Sequence, residues 1–134
     1  MQKPSPDRTR STKIVKREVE IKWEGGDISS NGGGILLHAA DRHLRLTDRV
    51  SQVLPDPRSQ AHIDHKAGDM LRQRVFGIAL GYEDLSDHDE LRRDPAFQTF
   101  VGTDKPLASP PTLCRFESWS GVLSLKKSDR PPKN

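Results

Sequence analysis

Residues 66–102, KAGDMLRQRVFGIALGYEDLSDHDELRRDPAFQTFVG, are the one stretch of this chain both apolar enough and long enough to organise a core. In its first half Ala67, Met70, Leu71, Val75, Ile78, Ala79 and Tyr82 recur at steps of three and four. That spacing predicts a helix with one wide apolar stripe, with Asp69, Arg72, Gln73 and Arg74 mostly off it. Gly81 breaks the pattern, and SDHDELRRD and DPAFQTFVG read as two short helices that fold back onto the stripe. The rest of the chain must arrange itself around this unit.

There is little else to build with. Leu, Ile, Val and Phe supply 30 of 134 residues, just above the range in which chains stay unfolded, so a thin core with disordered ends is expected. No run of about 18 apolar residues is present, so no membrane partner is expected, and MQKPSPDRTRSTK lacks the apolar stretch of a signal peptide. The single cysteine, Cys114, can form no internal disulfide, which suits a reducing cytoplasm. The net charge of +3 conceals a split: residues 1–17 hold six Lys/Arg against one acid and residues 118–134 four against one, leaving 17 acids against 12 bases between them. An acidic body with basic ends argues against a nucleic-acid binder that uses its whole surface and leaves local basic patches as candidates.

Residues 1–17, polar and broken by Pro4 and Pro6, read as a disordered basic arm. Val19, Ile21 and Trp23 then alternate with Glu20, Lys22 and Glu24, and Gly25-Gly26-Asp27 turns the chain so that Ile28 and Ser29 pair back as a hairpin. Asn31-Gly32-Gly33-Gly34 lacks the Lys-Ser/Thr that ends a phosphate-binding loop and reads as a flexible joint. Residues 35–46 predict a helix with Leu36, Ala39, Ala40 and Leu44 on one side. Thr47 is a candidate N-cap for a short helix carrying Val50, Val53 and Leu54, which Pro55-Asp56-Pro57 stops. Ser59 can cap the segment that leads into the central helix.

Two clusters invite a chemical reading. His62, Asp64 and His65 stand close together with Asp69 four residues past His65, a usable metal geometry on one helix face, yet no HExxH and no cysteine pair accompanies them. Asp84, Asp87, His88, Asp89 and Glu90 look like catalytic carboxylates, but capping by Ser86 or Asp87 at a positive helix end explains them more simply. Asp94-Pro95 repeats that logic, with Phe97, Phe100 and Val101 inward and Gly102 ending the helix. Ser109-Pro110 starts another helix carrying Leu113, Cys114 and Phe116, with Thr112 and Arg115 together on its other side. Helix, connection and short helix with an exposed Thr/Arg face resemble a helix-turn-helix, although the connection, residues 102–108, is longer than the usual three or four.

ISSNGGGILLHAADRHLRLTDRV, LPDPR, LRQRVFGIALGYEDLSDHDELRRDPAFQ and LASPPTLCRFE together resemble the amino-terminal region of group 1 DDE transposases of bacterial insertion sequences. RQRVFGIALGYEDLSDHDELRRDP carries the most specific part of that likeness, which runs from about Val19 to Glu117. The resemblance implies DNA cutting and joining in the full-length family by three acids that hold two metal ions, such as magnesium, on a ribonuclease H-like fold. No acid of residues 18–117 matches a catalytic position, and SWSGVLSLKKSDRPPKN does not resemble the family, reading instead as out-of-frame translation or a stop after a disruption.

The expectation is therefore a mainly α domain with a short amino-terminal β-hairpin and disordered termini, the ribonuclease H-like core absent. Its parts are a basic arm at 1–17, a transposase amino-terminal helical region at 18–117 and a non-family tail at 118–134. The expected function is that of a truncated transposase fragment in the cytoplasm, inactive alone, with no catalytic or metal-binding residue and no cofactor of its own. Transposon-end DNA is the expected partner, through Thr112 and Arg115 with Arg72 and Arg74 as second choices. The alternative is a fragment that pairs with an intact transposase through the apolar faces of Trp23 and the central helix and inhibits it. A small metal-dependent nuclease built on Asp87, His88 and Asp89 ranks last.

Overall fold

The computed structural model describes residues 12–19 and 31–120. Within them lie a two-stranded antiparallel hairpin, β1 (Thr12–Ile14) and β2 (Arg17–Val19), and six helices: α1 (Gly34–Leu44), α2 (Leu46–Val53), α3 (Ala67–Ala79), α4 (His88–Leu91), α5 (Pro95–Val101) and α6 (Pro110–Trp119). Single 3-10 turns at Gln60–His62 and Leu85–Asp87 lead into α3 and α4. The mainly α architecture with a short amino-terminal hairpin is the expected one.

The hairpin sits earlier than the alternation of residues 19–24 places it. Thr12 pairs with Val19 and Ile14 with Arg17, across a turn in which Val15 takes a φ of 58°. Tight hairpin turns call for positive φ, which a β-branched residue adopts only under strain. Residues 12–17, read as part of a disordered arm, are therefore strand and turn, whereas Ile21, Trp23 and the turn at 25–27 lie outside the described residues. A lone hairpin is marginal, and this one is held from outside. Ile14 is buried, and Arg17 donates to the Pro95 carbonyl at 2.6 Å, to Thr99 Oγ1 at 3.0 Å and to Gln98 Oε1 at 3.0 Å on α5.

The central helix forms as expected, but rotated. Met70, Gln73, Phe76 and Gly77 are its buried residues, while Val75 and Ile78, placed on the predicted stripe, are exposed. The reason is that α3 packs on α2, α5 and α6 at once, so no single stripe serves all three. On one side Phe76 joins Leu91, Phe97, Phe100, Val101 and Leu107; on the other Met70 joins Ala108, Leu113 and Phe116. Gln73 lies between the two clusters and pins the strand of chain that crosses from one to the other. Its Oε1 accepts from the Ala108 N–H at 3.1 Å, and its Nε2 donates to the Ala108 carbonyl at 2.9 Å.

α1 is turned the same way. Leu36, Ala39, Ala40 and Leu44, the predicted inner side, are all exposed, because α1 rests on α5 through Gly34, Ile35 and Leu37. Gly34 is the close approach: a Cβ there would stand 2.2 Å from Cδ2 of the Phe100 ring. The triple glycine thus brings a helix start against a core aromatic. Gly34→Ala is expected to cost about 2 kcal/mol through overpacking, read as a lower urea midpoint, whereas alanine at Gly33, where a Cβ meets nothing within 4 Å, should not.

Capping is right at α5 and different elsewhere. Asp94 accepts from the Ala96 N–H at 3.0 Å, Pro95 follows, and Gly102 closes the helix at a φ of 100°. Asp94 also accepts from Asn31 Nδ2 at 3.0 Å, and Asn31 accepts from the Tyr82 hydroxyl at 2.8 Å, which ties three segments together. Asp94→Ala is expected to lower stability by about 1 kcal/mol, measurable by chemical denaturation. Thr47 does not cap α2. It lies inside that helix, buried, and Asp41 of α1 accepts from both its N–H and its hydroxyl. No side-chain cap forms at Ser59 or Asp87.

Candidate nucleic-acid interface

Arg72 and Arg74, the second choices for DNA contact, are engaged inside the protein. Arg72 Nη1 donates to the Val101 carbonyl at 2.9 Å and meets Asp69 at 3.3 Å, Nη2 meets Asp48 at 3.1 Å, and Nε reaches Asp41 at 3.3 Å and Thr47 Oγ1 at 3.1 Å. Its side chain is 18% exposed. Arg74 pairs with Glu117 of α6 and donates to the Glu83 carbonyl at 2.7 Å. A third arginine, Arg58 of the PDPR motif, forks onto Asp56 with two 2.8 Å bonds, donates to the His65 carbonyl and lies 5.1 Å from the Trp119 ring centre. That fork holds the Asp56 carboxyl at about 2, well below its ordinary value.

Arg115 stands on the outer side of α6, with half-buried Thr112 beside it. Leu113 and Phe116 on the same helix are buried, Arg115 is exposed, and its Nη2 donates to Thr112 Oγ1 at 3.3 Å. Thr112 Oγ1 also lies 3.0 Å from Ser109 Oγ. α5 and α6 each pack on α3, and α6 adds the 3-10 turn before α4. The connection between them is anchored rather than looped, with Leu107 and Ala108 buried and the Leu107 N–H donating to the Arg92 carbonyl at 3.0 Å.

The two acidic and histidine clusters are not brought together. His65 precedes α3, so it shares no helix face with Asp69. His88 is fully buried while Asp87 and Asp89 point to solvent. Burial first, and Arg74 second, hold the His88 ring at a pKa of about 4, below its ordinary value of 6.5. Gln73 Nε2 lies 3.2 Å from His88 Nδ1, and as that amide already gives its oxygen to the Ala108 N–H, it donates to the ring. Neutral His88 therefore carries its proton on Nε2. Among the described residues no group of three or more His, Cys, Asp or Glu is arranged to hold a metal ion.

Sequence reasoning passed over a denser set. Arg42, His43, Arg45 and Arg49, within the run DRHLRLTDR, are all exposed along the end of α1 and the start of α2. The signal was there, four bases in eight positions, but it was diluted by Asp41 and Asp48 beside them. In the fold those two acids turn toward Arg72. On a different face a cleft of about 480 Å³ is walled by Asp87, Asp89, Glu90 and Asp94, a surface that repels a polyanion.

A family model described as transposase DDE domain group 1 matches residues 11–130. The chain belongs to that family. The match begins before and ends after residues 18–117, the window read from the sequence, and takes in 118–130, read as a non-family tail. Membership in this transposase family gives the chain a transposition-related function. Neither the curated proteins nor the solved structures include a match. Among the described residues of this transposase-family chain no helix is long and apolar enough to cross a membrane.

Proposed function

We propose that this chain serves transposition in the cytoplasm by holding transposon-end DNA, with Thr112 and Arg115 of α6 as the reading pair. One observation carries the reading: of the four candidate side chains Arg115 alone is exposed, with half-buried Thr112 beside it, on a helix anchored from within by Leu113 and Phe116. An exposed guanidinium on a firmly seated helix can fork onto a guanine edge, and a threonine beside it can add a hydrogen bond. Cutting belongs elsewhere in the family's fold. The three acids and divalent metal that the resemblance implies find no fit among the described residues: Asp41, Asp48, Asp56, Asp69 and Glu117 are paired with arginines, Asp94 caps α5, and the remaining acids form no group that could hold an ion. Arg115→Ala is expected to weaken binding to an end duplex about tenfold and to erase its preference over mixed sequence. Unchanged binding in a fluorescence-anisotropy titration removes Arg115 from the reading.

A second reading has an observation of its own. Leu46, Val50 and Val53 of α2 follow one another at helical steps and all face solvent, Val53 at 80% exposure, while polar Thr47 of the same helix is buried. Such an inside-out helix suits pairing with an intact transposase, which would then be inhibited. Co-purification with the full-length enzyme after nuclease treatment tests it, and Val50→Asp with Val53→Asp should abolish the pairing.

A further inference from the structure

We infer that the corner between α1 and α2 is a second DNA contact, a phosphate-gripping ridge formed by Arg42, Arg45 and Arg49, which rests on the DNA reading above. Asp41 turns inward to Arg72 and also takes up both polar groups of Thr47, while Asp48, its side chain 49% exposed, is held by Arg72 at 3.1 Å. The three arginines interleaved with them stay exposed. Arg45 meets one carboxylate, Asp48 at 3.8 Å, which Arg72 already holds at 3.1 Å. For Arg42 and Arg49 no ion pair forms among the described residues.

The backbone sets their spacing. Arg45 takes the left-handed conformation, φ 53° and ψ 36°. Its N–H closes α1 on the Asp41 carbonyl at 2.6 Å, and its own carbonyl receives the Arg49 N–H at 3.0 Å. One residue thus ends one helix and starts the next, with Arg42 three residues before it and Arg49 one turn beyond it, a rise of about 6 Å. An ordinary solvated face explains part of this, because cations at the end of α1 favour its dipole. It does not explain Arg49, which lies in the middle of α2, nor a cation at a backbone position that glycine would occupy without strain.

Guanidinium groups fork onto phosphate oxygens and fix position without reading sequence. The ridge therefore supplies grip, and α6 supplies choice. The test uses the full chain and two short duplexes, one carrying a transposon end and one of mixed sequence, titrated over a range of salt. In the triple variant R42Q/R45Q/R49Q the slope of log affinity against log salt is expected to fall by about 2 to 3, with affinity at low salt down at least about tenfold for both duplexes alike. The control K66Q/R93Q/K105Q removes the same charge from other exposed sites and is expected to keep the wild-type slope. An unchanged slope in the triple variant, or an equal loss in the control, overturns the ridge. If the ridge fails while Arg115→Ala still erases preference, the α6 reading stands alone; if the unaltered chain binds neither duplex, both fall.

Discussion

Arg72→Ala is expected to destabilise the protein by about 3–5 kcal/mol, the range for removing one partner of a buried ion pair. The change does more than delete a charge. Asp41, whose side chain is 13% exposed, would keep its carboxylate in a poorly hydrated place with only Thr47 to hold it. Asp48 and Asp69 would face it without the guanidinium between them. The Val101 carbonyl, at the end of α5, would lose its donor. Arg72→Lys should recover only part of the loss, because one ammonium cannot reach acceptors spread around a planar fork. Urea denaturation with circular dichroism measures both variants. A loss below about 1 kcal/mol for Arg72→Ala, the level of a surface pair, would falsify the view that this residue knits α1, α2, α3 and α5 together.

Mild acid should weaken the fold through His88. The ring is neutral in the folded protein down to a pH of about 4, whereas in the unfolded chain it takes a proton near 6.5. Above 6.5 the ring is neutral in both states and has no effect. As pH falls from 6.5 to 4 the unfolded state binds a proton that the folded state refuses, and stability drops by about 3 kcal/mol across that window. The geometry explains the refusal. Gln73 Nε2 presents a donor to Nδ1, so a protonated ring would set two donors against each other beside Phe97. His88→Leu removes the titration and should flatten the stability profile between those limits, even if its absolute stability is lower. A wild-type profile already flat there would show that the ring protonates in the folded protein. Asp56 adds a separate loss at lower pH, as its carboxylate, held by Arg58, protonates between 3.8 and about 2.

Helix existence was legible in the sequence because it depends on local signals. Asp94-Pro95 and Gly102 marked α5 by capping chemistry alone, and Pro55-Asp56-Pro57 marked the end of α2. Which face each helix buries was not legible, since that is decided by neighbours. Val75 and Ile78 lost their place inside to Phe76 and to Gln73, a polar residue buried because the backbone of Ala108 needs both its groups. The hairpin was misplaced because Arg17, its anchor, finds its partners about 80 residues away, on α5. In the candidate site the exposure of Arg115 on α6 was readable from its spacing, whereas Thr112 beside it is half-buried. The fate of Arg72 and Arg74 was not, because periodicity cannot distinguish an arginine at the edge of a buried face from one in water.

The left-handed corner at Arg45 bears on any attempt to raise the melting temperature. Two non-glycine residues, Val15 and Arg45, take positive φ among the described residues, and glycine at either would relieve about 1 kcal/mol of torsional cost. At Val15 that exchange touches only the hairpin turn. At Arg45 the same exchange would trade a cation for heat resistance, so a thermostable variant made by relaxing every strained dihedral would be sturdier and, by the ridge proposed above, a poorer companion for its nucleic acid.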